Sequence, residues 1–318
     1  MFLIKPQTLQ YWYKNFISDY RTDTEGNKWH PQKIETVEKS TGEVREKPVY
    51  VFKQENIGEK MSIDDKVIGY EGFTVLSNHD TGKMAMLVES TNTEGVTAAM
   101  SLFGSALKKI RHISMDMSPV YALICSNLIP RAVQIIDKFH VMKYVYESVS
   151  EVRIRVKKEL ANTLSEGRKK TEEDKKILSA LALLRRVRHA VTQSPEKWSE
   201  EMENTVYQVF EKFPDLKTAY QISQNFKHWY DFQNHIKSRD EISKNLYKWY
   251  AEAAQLKEFE PVIKMIRKHE DPILNFFQHG ITNAKAERLN GKIQRFFSNN
   301  YGIKDKDFFL YRTANYFS

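Results

Sequence analysis

The stretch "KMSIDDKVIGYEGFTVLSNHDTGKMAMLVES", residues 60–90, decides the fold. In "KMSIDDKV" apolar and polar residues alternate, which is the two-residue period of a half-buried strand. "EGFTVLSN" and "KMAMLVES" read as two more strands, and the turn residues "HDTG" between them predict an antiparallel hairpin. Alternation along the first strand puts Ser62 and Asp64 on one face and Met61, Ile63 and Asp65 on the other. An acid inside an otherwise apolar strand is costly unless it is paired, hydrogen-bonded or bound to a metal. Asp64 is therefore a candidate functional residue, with Asp65 as its neighbour and competitor.

The pattern continues downstream. "NTEGVTAAMSLFGSALKKI" reads as an amphipathic helix, "RHISMDMS" as a strand, "PVYALICSNL" as a helix and "RAVQIIDKFHV" as a fifth strand. The order β-β-β-α-β-α-β predicts an α/β domain with a mixed five-stranded sheet covered by helices. "SMDMS" repeats the Ser-x-Asp arrangement, with Ser114 and Asp116 on one face against Ile113 and Met115. In a sheet of this order the strands carrying Asp64 and Asp116 can be neighbours, and the two carboxylates then converge.

From about residue 141 to 278 strand signals vanish, and segments such as "KYVYESVSEVRIRVKKELANTL" and "RDEISKNLYKWYAEAAQL" carry helical periodicity. The next helix, in "HGITNAKAERLNGKIQRFF" (279–297), has three stripes. Lys285, Arg288, Lys292 and Arg295 form a basic one, Leu289, Ile293, Phe296 and Phe297 an apolar one, and Asn283, Glu287, Asn290 and Gln294 a polar one. Thr282 or Asn283 can cap its start. The basic stripe has two readings, a solvated surface or a rail for phosphates beside Glu287. If this helix packs on the sheet, Glu287 joins Asp64 and Asp116. Three oxygen-donor acids without His or Cys suit Mg²⁺ or Mn²⁺. Two such ions about 3.5–4 Å apart promote attack and departure of oxygens at a phosphodiester.

The bulk composition narrows the class. The chain has 318 residues and a net charge of +8, which suggests a polyanionic partner. Residues 138–188 hold 14 Lys or Arg against 7 Asp or Glu, so nearly the whole surplus lies there. A single cysteine, Cys125, rules out an internal disulfide framework and a cysteine-based zinc site. Its apolar surroundings, "VYALICSNL", mark it as a packing residue. The start, "MFLIKPQTLQYWYKNF", lacks a signal-peptide pattern, and no apolar run is long enough for a bilayer. A reducing cytosol fits these features.

The motifs "SIDDK", "SMDMS", "IIDKFHVMK" and "GITNAKAERLNGKIQRF" together resemble the DDE transposases of bacterial insertion sequences, in the ISL-three family and its ISAon-one-like subgroup. The similarity spans roughly residues 55 to 312. It implies an RNase H-like core interrupted by a large all-helical insertion, which fits the separation of 171 positions from Asp116 to Glu287. Expected boundaries are 1–58 for an N-terminal helical and loop region, 59–143 for the first part of the core, 144–278 for the insertion, and 279–318 for the last core helices. The resemblance makes Asp64, Asp116 and Glu287 the metal-binding triad, gives Asp137 and His140 a supporting role, and raises base stacking as a role for Trp229 or Trp249. It implies a bacterial cytoplasmic chain associated with the nucleoid, two Mg²⁺ or Mn²⁺ ions, element ends and target DNA as partners, a homo-oligomer on DNA, and a separate small protein for end recognition. Where many relatives carry Asp-Glu at the first acid, this chain has Asp64-Asp65. The rival expectations are a catalytically silent DNA-binding derivative and an RNase H-like nuclease without strand transfer.

Overall fold

The computed structural model describes residues 4–21, 29–37, 42–164, 171–230, 238–281, 284–299 and 305–318, without the side chains of Pro6, Ala284, Ala286 and Glu287. The chain divides into two compact units, one of Met1–Ile135 with Ile281–Ser318 and one of Ile136–Gly280.

The first unit is built on a mixed seven-stranded sheet. Its strands are β1 (Gln32–Val37), β2 (Val44–Phe52), β3 (Lys60–Ile68), β4 (Glu71–Asn78), β5 (Met84–Val88), β6 (His112–Met115) and β7 (Val133–Ile136), in the spatial order β1-β2-β5-β4-β3-β6-β7. The five expected strands are all present, and two more extend the sheet from the polar, turn-rich segment whose sequence reads as loop with short hairpin strands. β2 joins because Val49 and Val51 are buried and pair with Val88 and Leu87 of β5, while β1 lies antiparallel along its outer side. β3, β4 and β5 form an antiparallel meander, and the β3–β4 turn is made by Gly69, whose φ of 69° suits a residue without a Cβ. β3 pairs with β6 in parallel, with Ser62 opposite Ser114.

Helices cover both faces of this sheet. α1 (Pro6–Trp12) precedes β1. α2 (Thr93–Ser101) is shorter than the sequence pattern suggests, because the chain turns at Gly104 with φ 49° into a 3-10 segment, Gly104–Lys109. α3 (Pro119–Leu128) starts with Ser118 as N-cap and Pro119 in its first turn, a favourable pairing. The strand expected over 131–141 ends at Ile136. Asp137 is the N-cap residue of α4 (Lys138–Ala161), so His140 lies in a helix.

The opposite face is closed by α11 (Ala284–Asn299) and α12 (Lys306–Phe317). Leu289 and Ile293 of α11 and Phe309, Leu310 and Ala314 of α12 share one apolar core with Ile68, Phe73, Val75, Met84 and Leu87 of the sheet. Phe296 and Phe297 pack at its edge. The apolar stripe read from 284–299 is thus the docking face of α11 on β3 and β4.

The second unit, among its described residues, is helical: α4, α5 (Glu172–Arg186), α6 (Glu200–Lys212), α7 (Pro214–Trp229), α8 (Arg239–Ala253), α9 (Glu260–Lys268) and α10 (Glu270–His279). Trp229 and Trp249 are 6% and 3% exposed, and their indole N–H groups donate to the carbonyls of Ile242 and Ile222. Both are core residues here. Arg155 on α4 ties three segments together by ion pairs with Glu258, Asp215 and Glu159.

Candidate active site

The parallel register of β3 and β6 organises the site. Ser62 pairs with Ser114, and two residues further along each chain come Asp64 and Asp116. Asp64 is still within β3, whereas Asp116 follows the last residue of β6. Parity puts Asp64 on the same face as Ser62, Lys66 and Ile68, the face covered by α11.

The Asp64 carboxylate is held at both oxygens. Its Oδ1 accepts from the Asp65 backbone N–H at 2.9 Å, and its Oδ2 accepts from Nδ2 of Asn290 on α11 at 2.6 Å. Asp116 Oδ1 accepts from the Ser118 N–H at 2.8 Å, which fixes the carboxylate at the turn leading into α3. The Ser114 hydroxyl, two residues before Asp116, is buried and has no hydrogen-bond partner among the described residues.

Asp65 points the other way. Its Oδ1 accepts from the hydroxyl of Tyr121 on α3 and lies 3.3 Å from Thr74 Oγ1. Thr74 has one proton to donate, and the Ser90 carbonyl at 2.7 Å is its closer acceptor. Tyr121 is therefore the main anchor of Asp65. Although the residue as a whole is exposed, its carboxyl lies against these two fully buried hydroxyl residues. Burial pushes the Asp65 pKa up to about 6, the charges of Asp116 and Asp64 add to the rise, and the Thr74 hydroxyl opposes it. On the α11 side, burial lowers the Lys66 pKa, against the pull of Asp64.

Glu287 lies in α11 one turn before Asn290; its side chain is outside the described residues, as are Thr282 and Asn283. Among the described residues no group of three or more His, Cys, Asp or Glu is placed to hold a metal ion. Asp64 on β3, Asp116 just past the neighbouring β6 and the unpartnered Ser114 hydroxyl are all oxygen donors, the type that a hard divalent cation takes. Arg288, Lys292 and Arg295 are exposed along α11, and Lys285 donates to the Asp80 carbonyl.

Asp137 and His140 belong to the second unit. Asp137 is 5% exposed and its charge contributes to a strongly raised pKa at the buried Tyr230 phenol, where burial is the main cause. His140 Nε2 is 3.9 Å from Asp137 Oδ2, and its ring meets Phe139 edge-on.

Sequence reasoning left Asn290 and Tyr121 without roles. Asn290 does fall in the polar stripe of its helix with Glu287, and that stripe was the available signal. Nothing local marks Tyr121, because its partner lies 56 residues away.

No helix among the described residues is long and apolar enough to cross a membrane. No solved structure matches the chain. The chain is similar to the transposase for insertion sequence element IS1557 from two strains of Mycobacterium tuberculosis, with 23% identity over 233 residues, 70% of this chain and 51% of each relative. The chain thus spans about half the length of the curated relatives it matches. A family model described as a transposase, of the DDE and ISL3 type, matches residues 61–313. With most of its length matched, the chain belongs to this transposase family.

Proposed function

We propose that this chain is the catalytic chain of a transposase that cleaves DNA at the ends of an insertion sequence and joins the freed 3′-hydroxyl to target DNA. Asp64, Asp116 and Glu287 hold two divalent ions, Mg²⁺ or Mn²⁺, on an RNase H-like core, and residues 144–278 are its helical insertion. The observation that supports this reading is the parallel Ser62–Ser114 pairing, by which the strand carrying Asp64 lies beside the strand that Asp116 follows.

Bound ions supply Lewis-acid activation of the attacking oxygen and stabilisation of the leaving one. The chain's own contribution is position and charge. Asn290 and the Asp65 N–H hold the Asp64 carboxylate, and the Ser118 N–H holds that of Asp116. Arg288, Lys292 and Arg295 contact the backbone phosphates of the strand, which places it without reading its sequence. Asp137 and His140 play a supporting part from the start of α4. A homo-oligomer on nucleoid DNA and a separate end-binding protein complete the reading.

The test is a reaction on DNA carrying the element's ends, with Mg²⁺ or with EDTA, alongside a second reaction on pre-cut ends. The reading expects metal-dependent nicking and joining of pre-cut ends to target. Binding without cleavage points instead to a silent DNA-binding derivative. Cleavage without joining points to a nuclease.

A further inference from the structure

Two adjacent acids, Asp64 and Asp65, compete for the role of first ligand, and their surroundings separate them. Asp65 faces α3, with one oxygen engaged by Tyr121. Asp64 faces α11, and Asn290 reaches it from 226 residues further along the chain. Three features make this contact more than a chance surface bond. Asn290 is half-buried, its neighbour Leu289 and its next-turn partner Ile293 are anchored in the core at 4% and 0% exposure, and the bond is short at 2.6 Å. Asn290 is also a neutral donor on a helix rich in cations. An amide orients a carboxylate and leaves its negative charge available, whereas a lysine or arginine at 290 would neutralise it.

We propose that Asn290 is a positioning residue for the metal site: its side-chain amide, carried on docked α11, fixes the Asp64 carboxylate for a divalent cation and so makes Asp64, not Asp65, the first ligand. With the Asp65 N–H on Oδ1 and Asn290 on Oδ2, the carboxylate plane is set before any ion binds. The same helix carries Glu287 one turn earlier, so the orienting amide and the proposed third acid belong to one element. Hydrogen-bond partners behind metal ligands typically contribute about 10–100-fold in metal affinity. This inference rests on the reading that Asp64 is a metal ligand.

The experiment uses the full chain with Asn290→Leu, which removes the donor and keeps the branching at Cγ, Asn290→Gln, which restores a donor on a longer arm, and Asp64→Asn. Mn²⁺ binding to the DNA-free protein is followed by electron paramagnetic resonance, and nicking is measured across a Mg²⁺ titration. Asn290→Leu should weaken Mn²⁺ binding and raise the half-saturating Mg²⁺ by about tenfold, with the rate at saturating Mg²⁺ largely recovered. Asn290→Gln should fall between it and the wild type, and supplies the comparison if the leucine variant does not fold. An unchanged Mg²⁺ dependence in both variants, while Asp64→Asn is inactive, overturns the role of Asn290 alone. Full activity of Asp64→Asn overturns the assignment of Asp64 itself.

Discussion

At Asp65 the structure sets a charge where it is unwelcome. Burial and two nearby carboxylates raise its pKa to about 6, above its ordinary value of 3.8. The stabilisation belongs to the protonated form, so it is fully present below about pH 4 and is lost as pH rises through 6. Asp65→Asn keeps an acceptor for Tyr121 and removes the charge. In EDTA at pH 7 this variant should unfold at higher urea than wild type, by on the order of 1 kcal/mol once solvent screening is allowed for. The gap should close towards pH 4, and a constant gap would mean that the charge is not its cause. Cys125 offers a second residue-scale check. It is buried on α3 and its thiol is pushed up to about 12 by burial. A thiol reagent at pH 8 should find no reactive cysteine in the folded protein and one in urea. Rapid labelling of the folded chain would contradict the burial. Among these residues, Asp64 and Asp116 stood out in the sequence as candidates because each follows a serine by two positions on the polar face of an alternating strand pattern. The Asn290–Asp64 and Tyr121–Asp65 bonds were not, because pairing between distant segments leaves no local period.

At the scale of elements, the decisive one is α11, because it carries both Glu287 and the contact to Asp64. Its docking rests on Leu289 and Ile293 in the shared core. Ile293→Ala should cost roughly 2–5 kcal/mol, the range for emptying a fully buried aliphatic site. If α11 positions the site, this variant loses nicking under conditions where circular dichroism still reports a folded chain. Normal nicking in a clearly destabilised Ile293→Ala protein would mean that docking of α11 does not matter to the site. The meander β3–β5, α3 and the stripe of α11 could be read from sequence because their apolar residues keep a clean period. β1 and β2 could be read only as short hairpin strands within a loop-rich segment. Their charged, turn-rich surroundings hide their place in the main sheet, which comes from the pairing of β2 with β5. The strand before Asp137 was read too long because the alternation of Val133 and Ile135 resumes past Asp137 with Phe139 and Val141, in the first turn of α4.

At the scale of the whole molecule, the net charge of +8 and the exposed Arg288, Lys292 and Arg295 bear on DNA affinity rather than on fold. Replacing these three with Ala should weaken binding about equally for any sequence and flatten the dependence of log affinity on log salt by roughly 2–3. An unchanged slope would leave the stripe as solvated surface. The sign of the charge and its concentration over 138–188 were plain in the sequence; which cations meet phosphate is a property of the folded surface. The central claim is that Asp64, Asp116 and Glu287 form one metal site. Its most direct test is Mg²⁺-dependent nicking of end-bearing DNA by wild type and Glu287→Gln, with DNA binding and folding measured in parallel. The account predicts that the variant folds and binds DNA but does not nick at any Mg²⁺ concentration. Equal nicking by both proteins would contradict it, and α11 would then be a basic helix that merely covers the sheet.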